Sequence, residues 1–324
     1  MNPITVIGEA LIDLVPRGAP GDYRAHAGGS PFNVAVGLAR LGNRTALMAR
    51  LAESGFGRIL RDTAEAEGIE LDAAAHATEP TTLAVVSMDG SAQATYDFYL
   101  EGTADWQWTA AELGRLPADT AVLHFGSIAS WTEPGSELID QLVRNVRASG
   151  EALVSYDPNI RPLVLGPPER GRQLVERSVR HAHVVKASRE DLEWLYPSRS
   201  VDETAAHWTE LGAALVVVTD GADGAAAYRE GAPPLRRPGR PVDVADTIGA
   251  GDAFTAGLLS GLVRGELDAA DRVAAVAEAA LADAVDEAVL VSSLTCQRVG
   301  ADPPRVATRD IGPRPLTADD FVSP

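Results

Sequence analysis

The chain has 324 residues, 45% of them hydrophobic, and a formal net charge of −18 at pH 7. Its length allows one large domain, or one domain with a smaller second one. The negative charge argues against nucleic acid or an anionic membrane surface as the main binding partner, because both require a basic face.

Several features of the sequence predict a cytoplasmic protein. Cys296 is the only cysteine, which excludes an internal disulfide and fits a reducing compartment. The N-terminal stretch MNPITVIGEALIDLVP lacks a basic region and reaches a carboxylate at Asp13, so we interpret it as a first strand rather than a signal peptide. No run of about 18 apolar residues occurs, and no transmembrane helix is expected.

Short apolar, β-branched segments recur along the chain with helical segments between them. Their nearly continuous hydrophobicity is typical of parallel strands that are covered on both faces. The predicted strands are 4–8, 45–50, 120–127, 152–159, 182–188 and 214–221. The predicted helices are 31–42, 55–69, 134–150, 202–212 and 271–293. This alternation predicts a doubly wound α/β domain, with a mostly parallel sheet flanked by helices.

Two segments interrupt the alternation. Residues 14–30 are rich in turn-forming residues, and residues 81–101 contain two extended runs around MDGS, in which Asp89 and Gly90 are a β-hairpin signal. We therefore predict a small β-sheet lid and a larger α/β domain. The lid is assigned residues 14–30 and 81–105, and the α/β domain residues 1–13, 31–80 and 106–324. The proline-rich stretch 230–246 is interpreted as a loop and residues 302–324 as a surface tail.

The stretch DTIGAGDAF, residues 246–254, carries the clearest chemical signal. Gly249, Ala250 and Gly251 precede an apolar helix, so backbone N–H groups and the positive helix end would attract an anion. The chain contains no G-x-x-x-x-G-K-[ST] sequence, and its first strand–helix turn has no G-x-G-x-x-G. Asp252 would be repelled by phosphate, but it is suited to take a proton from a hydroxyl that attacks phosphate. A simple helix N-cap behind a glycine turn is the alternative.

Two further glycine-containing segments are consistent with ligand binding. In HAGGSPFNVAVGLARLG, residues 26–42, Gly28 and Gly29 allow the backbone to approach a ligand closely, and Asn33 offers both a donor and an acceptor. Gly221 and Gly224 follow a predicted strand, at the position where nucleotides bind in α/β sheets. A tight turn is the alternative interpretation of each segment.

Together these segments resemble the ribokinase/fructokinase (PfkB-type) family of sugar kinases over most of the chain. AGGSPFNVAVGLARLG is similar to the family's N-terminal signature, and DTIGAGDAFTAGLL to its C-terminal one. The bacterial fructokinase branch is resembled by GEALIDLVP, FYLEGTADW, YDPNIRP, VKASREDLEWL and CQRVGADPP. The resemblance implies a ribokinase-like α/β fold with a small β lid over the sugar, and phosphorylation of a sugar by ATP.

The resemblance also implies roles for individual residues. Asp252 would deprotonate the primary hydroxyl of the sugar, while Gly249, Ala250 and Gly251 would form the anion hole for the γ-phosphate. The residues implied to bind the substrate are Asp13, Gly28, Gly29, Asn33 and Arg161. Arg161 would meet the substrate or the phosphates, with a surface ion pair as its alternative. Ser30 stands where ribokinases carry a lysine, which argues against ribose.

For the nucleotide and the metals, the implied positions lie mainly in the second half of the chain. The residues implied to bind ATP are Lys186, Ser188, Thr219, Gly221, Gly224 and Gly251. Asp157 and Asn159 resemble positions near the metal and the phosphates. Asp191 would bind Mg²⁺ through water, because Asp is shorter than the Glu that is commoner in the family. A monovalent cation such as K⁺ would be bound by Asp246, Ile248, Thr295, Arg298 and Gly300, the last four through their carbonyls.

Several hypotheses about function follow. The leading one is phosphorylation of D-fructose by ATP, although Leu100 stands where fructokinases often place an arginine and Ser54 replaces a common acidic residue. One alternative is a 2-keto-3-deoxygluconate kinase, with Arg24 binding the substrate carboxylate, or another sugar kinase. A non-catalytic sugar- or nucleotide-binding protein is the alternative of a different class. Because the lid strands leave an apolar face that needs cover, and related kinases often pair their lids, we expect a homodimer through the lid.

Overall fold

The protein is described here by a computed structural model that covers residues 2–19, 21–88, 94–308 and 312–322. Its strands, numbered in chain order, are β1 (Ile4–Ile7), β2 (Leu11–Pro16), β3 (Tyr23–Gly28), β4 (Thr45–Met48), β5 (Arg50–Ala52), β6 (Ala75–Ala77), β7 (Leu83–Met88), β8 (Ala94–Tyr99), β9 (Val122–Gly126), β10 (Leu153–Asp157), β11 (Val184–Ser188), β12 (Leu215–Thr219), β13 (Ala225–Tyr228) and β14 (Leu235–Arg237). Its α-helices are α1 (Ser30–Arg40), α2 (Gly55–Ala66), α3 (Ala110–Leu113), α4 (Gly135–Ser149), α5 (Pro162–Leu165), α6 (Pro168–Val179), α7 (Arg189–Leu195), α8 (Val201–Glu210), α9 (Ala250–Arg264), α10 (Ala270–Ala274) and α11 (Glu278–Cys296). None of the helices in these residues is long and apolar enough to cross a membrane.

The main sheet has eight strands in the order β14-β13-β12-β11-β10-β9-β1-β4. The six strands from β12 to β4 are parallel, and β13 and β14 continue the sheet antiparallel at one edge. The predicted mostly parallel sheet is therefore confirmed. The two edge strands were not predicted, because β13 is a run of alanines and β14 lies within the proline-rich stretch that was interpreted as a loop.

Helices cover both faces of this sheet, because neighbouring residues of a strand pack on opposite sides. Val6 belongs to a hydrophobic cluster with α1, α2, α9 and α11, while Ile7 belongs to a second cluster with α4, α6, α7 and α8. The predicted helix 271–293 is divided into α10 and α11. The predicted surface tail is partly packed instead, since Val306 and Leu316 are buried and Val306 forms a β-bridge with Phe321.

A separate four-stranded sheet, in the order β3-β2-β7-β8, forms the lid. The antiparallel pairing of β7 with β8 confirms the predicted hairpin, whose expected turn at residues 89 and 90 lies outside the described residues. The lid begins at Leu11, three residues before the predicted boundary, because β1 ends at Ile7 and the chain leaves the main sheet there. Asp13 is consequently on a lid strand rather than at the end of the first strand.

Helices α9 and α11 pack unusually closely. A Cβ atom added to Gly257 would lie 2.8 Å from the Ala288 Cα, and one added to Gly261 would lie 2.9 Å from the Ala284 Cα. Both neighbouring atoms belong to the backbone, so neither can be moved by rotating a side chain. The missing side chains therefore set the distance between the helices, and α9 begins with the residues expected to be catalytic.

We expect Gly257→Val to lower the free energy of unfolding by about 1–3 kcal/mol, because overpacking forces the two helices apart. Urea denaturation followed by circular dichroism measures this change. Gly114→Ala is the matched control, since the added Cβ would lie at an ordinary 3.5 Å from its nearest neighbours. Equal stabilities of the Gly257→Val variant and the parent would contradict this account of the packing.

Candidate active site

A cavity of about 500 Å³ lies between the lid and the carboxyl ends of the main-sheet strands. This is where ligands bind in open α/β sheets. Its lining residues come from both sheets and from the starts of α1 and α9: Glu9, Leu11, Asp13, Gly29, Ser30, Asn33, Tyr96, Phe98, Ser127, Ile128, Asn159, Arg161, Thr247, Ile248, Gly249, Gly251 and Asp252. The cavity thus brings together most of the residues predicted to bind the sugar and to act on it.

The turn before α9 presents backbone donors to the cavity. Gly249 has a φ of +75°, and a Cβ at this position would lie 2.6 Å from the Ala301 Cβ, so only glycine fits. Ala250 N–H donates to the Thr247 carbonyl, 3.2 Å away. Within the described part of the chain, the N–H groups of Gly249, Gly251 and Asp252 have no such acceptor. These three amides, rather than that of Ala250, are available to an anion.

The Asp252 carboxylate is buried at the first turn of α9 and is held by α1. Ser30 Oγ donates to its Oδ1 at 2.6 Å, and Asn33 Nδ2 donates to its Oδ2 at 2.9 Å. Burial raises the pKa of Asp252, while the two hydrogen bonds from α1 act in the opposite direction. A carboxylate whose pKa lies above its ordinary value accepts a proton more readily, which suits a general base.

Asp13 enters the cavity from lid strand β2. A Cβ at Gly28 on the paired strand would lie 2.0 Å from Asp13 Oδ2, so the absence of a side chain at Gly28 makes room for the carboxyl group. Burial raises the pKa of Asp13 to about 6, and the negative charge of Asp252 adds to this effect. Gly28 itself supports Asp13 and is absent from the cavity lining, whereas Gly29 lines it.

Arg161 is the one cation among the described lining residues. Its Nη1 donates to Asn159 Oδ1 at 2.8 Å and to the Ile160 carbonyl at 3.0 Å, which fixes the guanidinium at the carboxyl end of β10. Its positive charge opposes the rise in the pKa of Asp13. Arg161 is therefore a local part of the cavity rather than a partner in a surface ion pair.

Directly beneath the turn before α9 lies a buried ion pair. Lys186 Nζ is 3.0 Å from Asp157 Oδ2, and both side chains are almost fully buried. A Cβ added to Gly251 would lie 3.1 Å from Lys186 Nζ, so the ammonium group lies just below the free amides. Thr255 Oγ1 also donates to Asp157 Oδ2, at 3.1 Å. The only lysine of the sequence is thus at the floor of the anion site.

Asp191 and Ser188 form a capping box at the start of α7. Asp191 Oδ2 accepts from Ser188 N–H and its Oδ1 from Ile160 N–H, both at 3.0 Å. The Asp191 carboxylate therefore accepts hydrogen bonds from the backbone of two segments, one at Ser188 and one at Ile160. It retains further lone pairs, which is compatible with the predicted contact to a metal through water.

The residues predicted to form the ATP loop lie outside the cavity, at the carboxyl end of β12. Gly221 and Gly224 have φ values of +48° and +99°, and a Cβ at Gly224 would lie 2.2 Å from the Arg237 carbonyl. Next to them, Arg189 Nε donates to Asp220 Oδ1 at 2.6 Å. Since Thr219 pairs with Ser188 on β11, this loop and Lys186 border the same edge of the sheet.

Asp246 joins the two segments that were predicted to bind a monovalent cation. Its Oδ1 accepts from Ile248 N–H at 3.1 Å and its Oδ2 from Gly300 N–H at 2.8 Å. The carbonyls of Thr295 and Gly300 each accept one backbone hydrogen bond, from Arg298 and Asp302 respectively. The predicted set is thus brought together in space, but its carboxylate already has two donors.

Sequence reasoning missed Glu9, which is buried and lines the cavity. Its Oε2 accepts from Ala129 N–H at 3.0 Å, and it also hydrogen-bonds to Ser127, a non-glycine residue with a φ of +52°. Burial raises the pKa of Glu9 to about 7. The signal in the sequence was the position of Glu9 two residues after the buried parallel strand β1. The aromatic side chains of Tyr96 and Phe98, two residues apart on β8, were missed as well.

Comparisons with known proteins agree with this arrangement. The family described as pfkB family carbohydrate kinase matches residues 1–308. A fructokinase from Rhizobium leguminosarum bv. trifolii is 39% identical over 287 residues, which are 87% of this chain and 86% of that protein.

Two solved structures resemble the fold. One is a fructokinase from Xylella fastidiosa with bound ATP, with a TM-score of 0.83, 28% identity, and coverage of 92% of this chain and 93% of that chain. The other is a fructokinase double mutant from Vibrio cholerae O395 in fructose-, ADP- and potassium-bound form. Its TM-score is 0.78 and its identity 30%, with coverage of 93% of this chain and 94% of that chain.

We expect Glu9→Gln to make folding stability less dependent on pH. The pKa of Glu9 rises from 4.5 to about 7 on folding, so the folded state holds its proton more tightly, and stability declines as the pH rises through this range. The variant should therefore lose roughly 2–3 kcal/mol less than the parent between pH 5 and pH 8. Urea denaturation at both pH values measures the difference, with exposed Glu65→Gln as control. An unchanged pH dependence in Glu9→Gln would contradict the assignment.

Proposed function

Because the chain belongs to the pfkB family of carbohydrate kinases, we propose that it transfers the γ-phosphate of ATP to a primary hydroxyl of D-fructose. The observation that carries the proposal is the Asp252 carboxylate, which lines the cavity beside the free amides at the start of α9. A base next to an anion site is what phosphoryl transfer to an alcohol requires. The matched fructokinases support fructose as the sugar.

The charges of the cavity favour a neutral sugar over a sugar acid. Three carboxyl groups, of Glu9, Asp13 and Asp252, line it against the single guanidinium of Arg161. A 2-keto-3-deoxygluconate carboxylate would need a further cation. Arg24 is absent from the described lining, and Leu100 lines a neighbouring groove instead. Hydroxyl groups, by contrast, donate well to carboxylates.

In the proposed reaction, the sugar hydroxyl donates its proton to Asp252 as its oxygen forms a bond to the γ-phosphorus. The bond from phosphorus to the β–γ bridging oxygen breaks, and ADP leaves with the electron pair. The amides of Gly249, Gly251 and Asp252 stabilise the charge on the equatorial oxygens of the transferred group. The ammonium of Lys186, 3.0 Å from Asp157, adds positive charge from below.

A non-catalytic binding protein is the weaker alternative. Binding alone requires neither a carboxylate at position 252 nor two separate hydrogen bonds that orient it. The lid also favours a catalytic protein over a purely binding one. A cavity closed by β2 and β8 would exclude water, which competes with the sugar as the attacking nucleophile.

The proposal includes a divalent and a monovalent cation. Among the described residues no cluster of three or more His, Cys, Asp or Glu side chains could hold a metal, which fits Mg²⁺ bound largely by phosphates and water. When bound, Mg²⁺ would neutralise charge on the β- and γ-phosphates, with Asp191 contacting its water shell. K⁺ would lie beside Asp246 and the Ile248, Thr295, Arg298 and Gly300 carbonyls, supported by the potassium-bound fructokinase.

We expect the purified protein to phosphorylate fructose with ATP and Mg²⁺. Asp252→Asn should lower the turnover by about 10²–10⁴-fold, because this variant has lost its general base at nearly constant side-chain volume. Product formation with fructose, 2-keto-3-deoxygluconate, ribose and adenosine measures both effects, and nucleotide binding should persist in the variant.

Asp119→Asn is the matched control, because Asp119 pairs with Arg44 at the surface, 2.6 Å away, and does not line the cavity. Turnover of another substrate in the panel, but not of fructose, would overturn the choice of sugar. Near-parental turnover by Asp252→Asn would overturn the mechanism.

We further propose that the protein is a cytoplasmic homodimer that pairs through the lid. The single cysteine supports the location. The lid strands carry two exposed aromatic side chains, Tyr23 at 44% and Tyr99 at 60% relative exposure, which a partner would cover.

We expect size-exclusion chromatography with light scattering to give about twice the 34.0 kDa chain mass at micromolar concentration. Tyr99→Lys places a charge in the proposed interface and should shift the population towards monomer. Tyr228→Phe, far from the lid on β13, is the control. A parent protein that is monomeric at this concentration would contradict the proposal.

A further inference from the structure

Ser30 lies where its hydroxyl contacts the carboxylate of Asp252. It is the first residue of α1, directly after Gly29, whose φ of +99° turns the chain into the helix. Its Oγ donates to Asp252 Oδ1 at 2.6 Å, across 222 residues of sequence. Asn33, one helical turn later, occupies the other oxygen. Residues three apart share a helix face, so one face of α1 serves both carboxylate oxygens.

The hydroxyl has no competing role in its own helix. Serines at helix starts commonly cap the free amides of the first turn. In α1, however, no side chain caps the helix, and the N-cap residue is Gly29. Pro31 follows, and it has no N–H group to satisfy. The Ser30 hydroxyl is therefore free to donate its hydrogen bond to Asp252, which lies on a different helix.

The surroundings of Asp252 make this hydrogen bond important. Two further carboxylates repel the negative charge of Asp252: that of Asp157 on β10 and that of Asp13 on β2. Lys186 on β11 carries the opposite charge but is already paired with Asp157 at 3.0 Å. Ser30 and Asn33 are consequently the donors in direct contact with a buried carboxylate. A hydrogen bond to an ionised group is stronger than one between neutral groups, and it favours the ionised form.

We propose that Ser30 is a positioning residue, which keeps the Asp252 carboxylate ionised and directs its remaining lone pairs towards the sugar hydroxyl. The inference rests on the proposed function, since it assumes that Asp252 is the base. Without the hydroxyl, the carboxyl group should bind a proton at a higher pH and rotate more freely.

The test is the pH profile of kcat with fructose for Ser30→Ala. Removing one charged hydrogen bond should move the acidic limb upward by about one to two pH units. At pH values below the parental acidic limb the variant should therefore lose about tenfold or more in kcat, and much less at pH values well above it, with an unchanged KM for ATP. Ser30→Thr keeps a hydroxyl and should restore the parental profile. A loss caused only by misfolding would affect all pH values alike.

Ser260→Ala is the matched control, because Ser260 is fully buried on the same helix as Asp252 but hydrogen-bonds to Arg264. Its acidic limb should not move. An unshifted limb in Ser30→Ala would overturn this inference alone, provided that the parent turns over fructose and Asp252→Asn shows the expected loss of turnover. Absence of fructose turnover in the parent would instead overturn the proposed function.

Discussion

The buried ion pair between Asp157 and Lys186 is the interaction on which the rest of the site depends. The Asp157 carboxylate accepts from Lys186 Nζ, Thr255 Oγ1 and Asn159 N–H, so it joins two neighbouring strands, the first turns of α9 and the loop before α5. A buried charge that lost its partner would be strongly destabilising. The pair therefore fixes the start of α9 above the ammonium group, and with it the geometry of the free amides.

Around this pair, the charges of the site are divided between two regions. The cavity under the lid is rich in carboxyl groups, of Glu9, Asp13 and Asp252, and suits a neutral molecule with many hydroxyl groups. The adjoining region at α9 offers backbone amides and Lys186, and suits phosphate. A chain with a net charge of −18 can thus accept an anion, because the field that matters is set within a few ångströms of the bound group.

Much of this architecture follows from local sequence. Continuous runs such as Leu215–Thr219 predict buried parallel strands, and the residues around Asp252 predict an anion site followed by a helix. Local sequence does not predict which distant segments of the chain come into contact. Glu9 accepts a hydrogen bond from an amide 120 residues away, and Ser30 donates one to a carboxylate 222 residues away. Strand β2 of the lid sheet begins at Leu11, which is as apolar as β1, so hydrophobicity does not mark the exit from the main sheet.

The location of Asp13 on a lid strand sets two carboxyl groups, those of Asp13 and Asp252, on different parts of the fold across one cleft. Asp13 lies on the lid sheet and Asp252 at the start of α9, and the negative charge of Asp252 contributes to the raised pKa of Asp13. Between two bare carboxylates this repulsion disfavours a shorter distance across the cleft. A polyol inserted between them donates to both and replaces the repulsion with attraction. A polyol bound in the cleft would therefore favour a shorter distance between the lid and α9, without any residue dedicated to sensing.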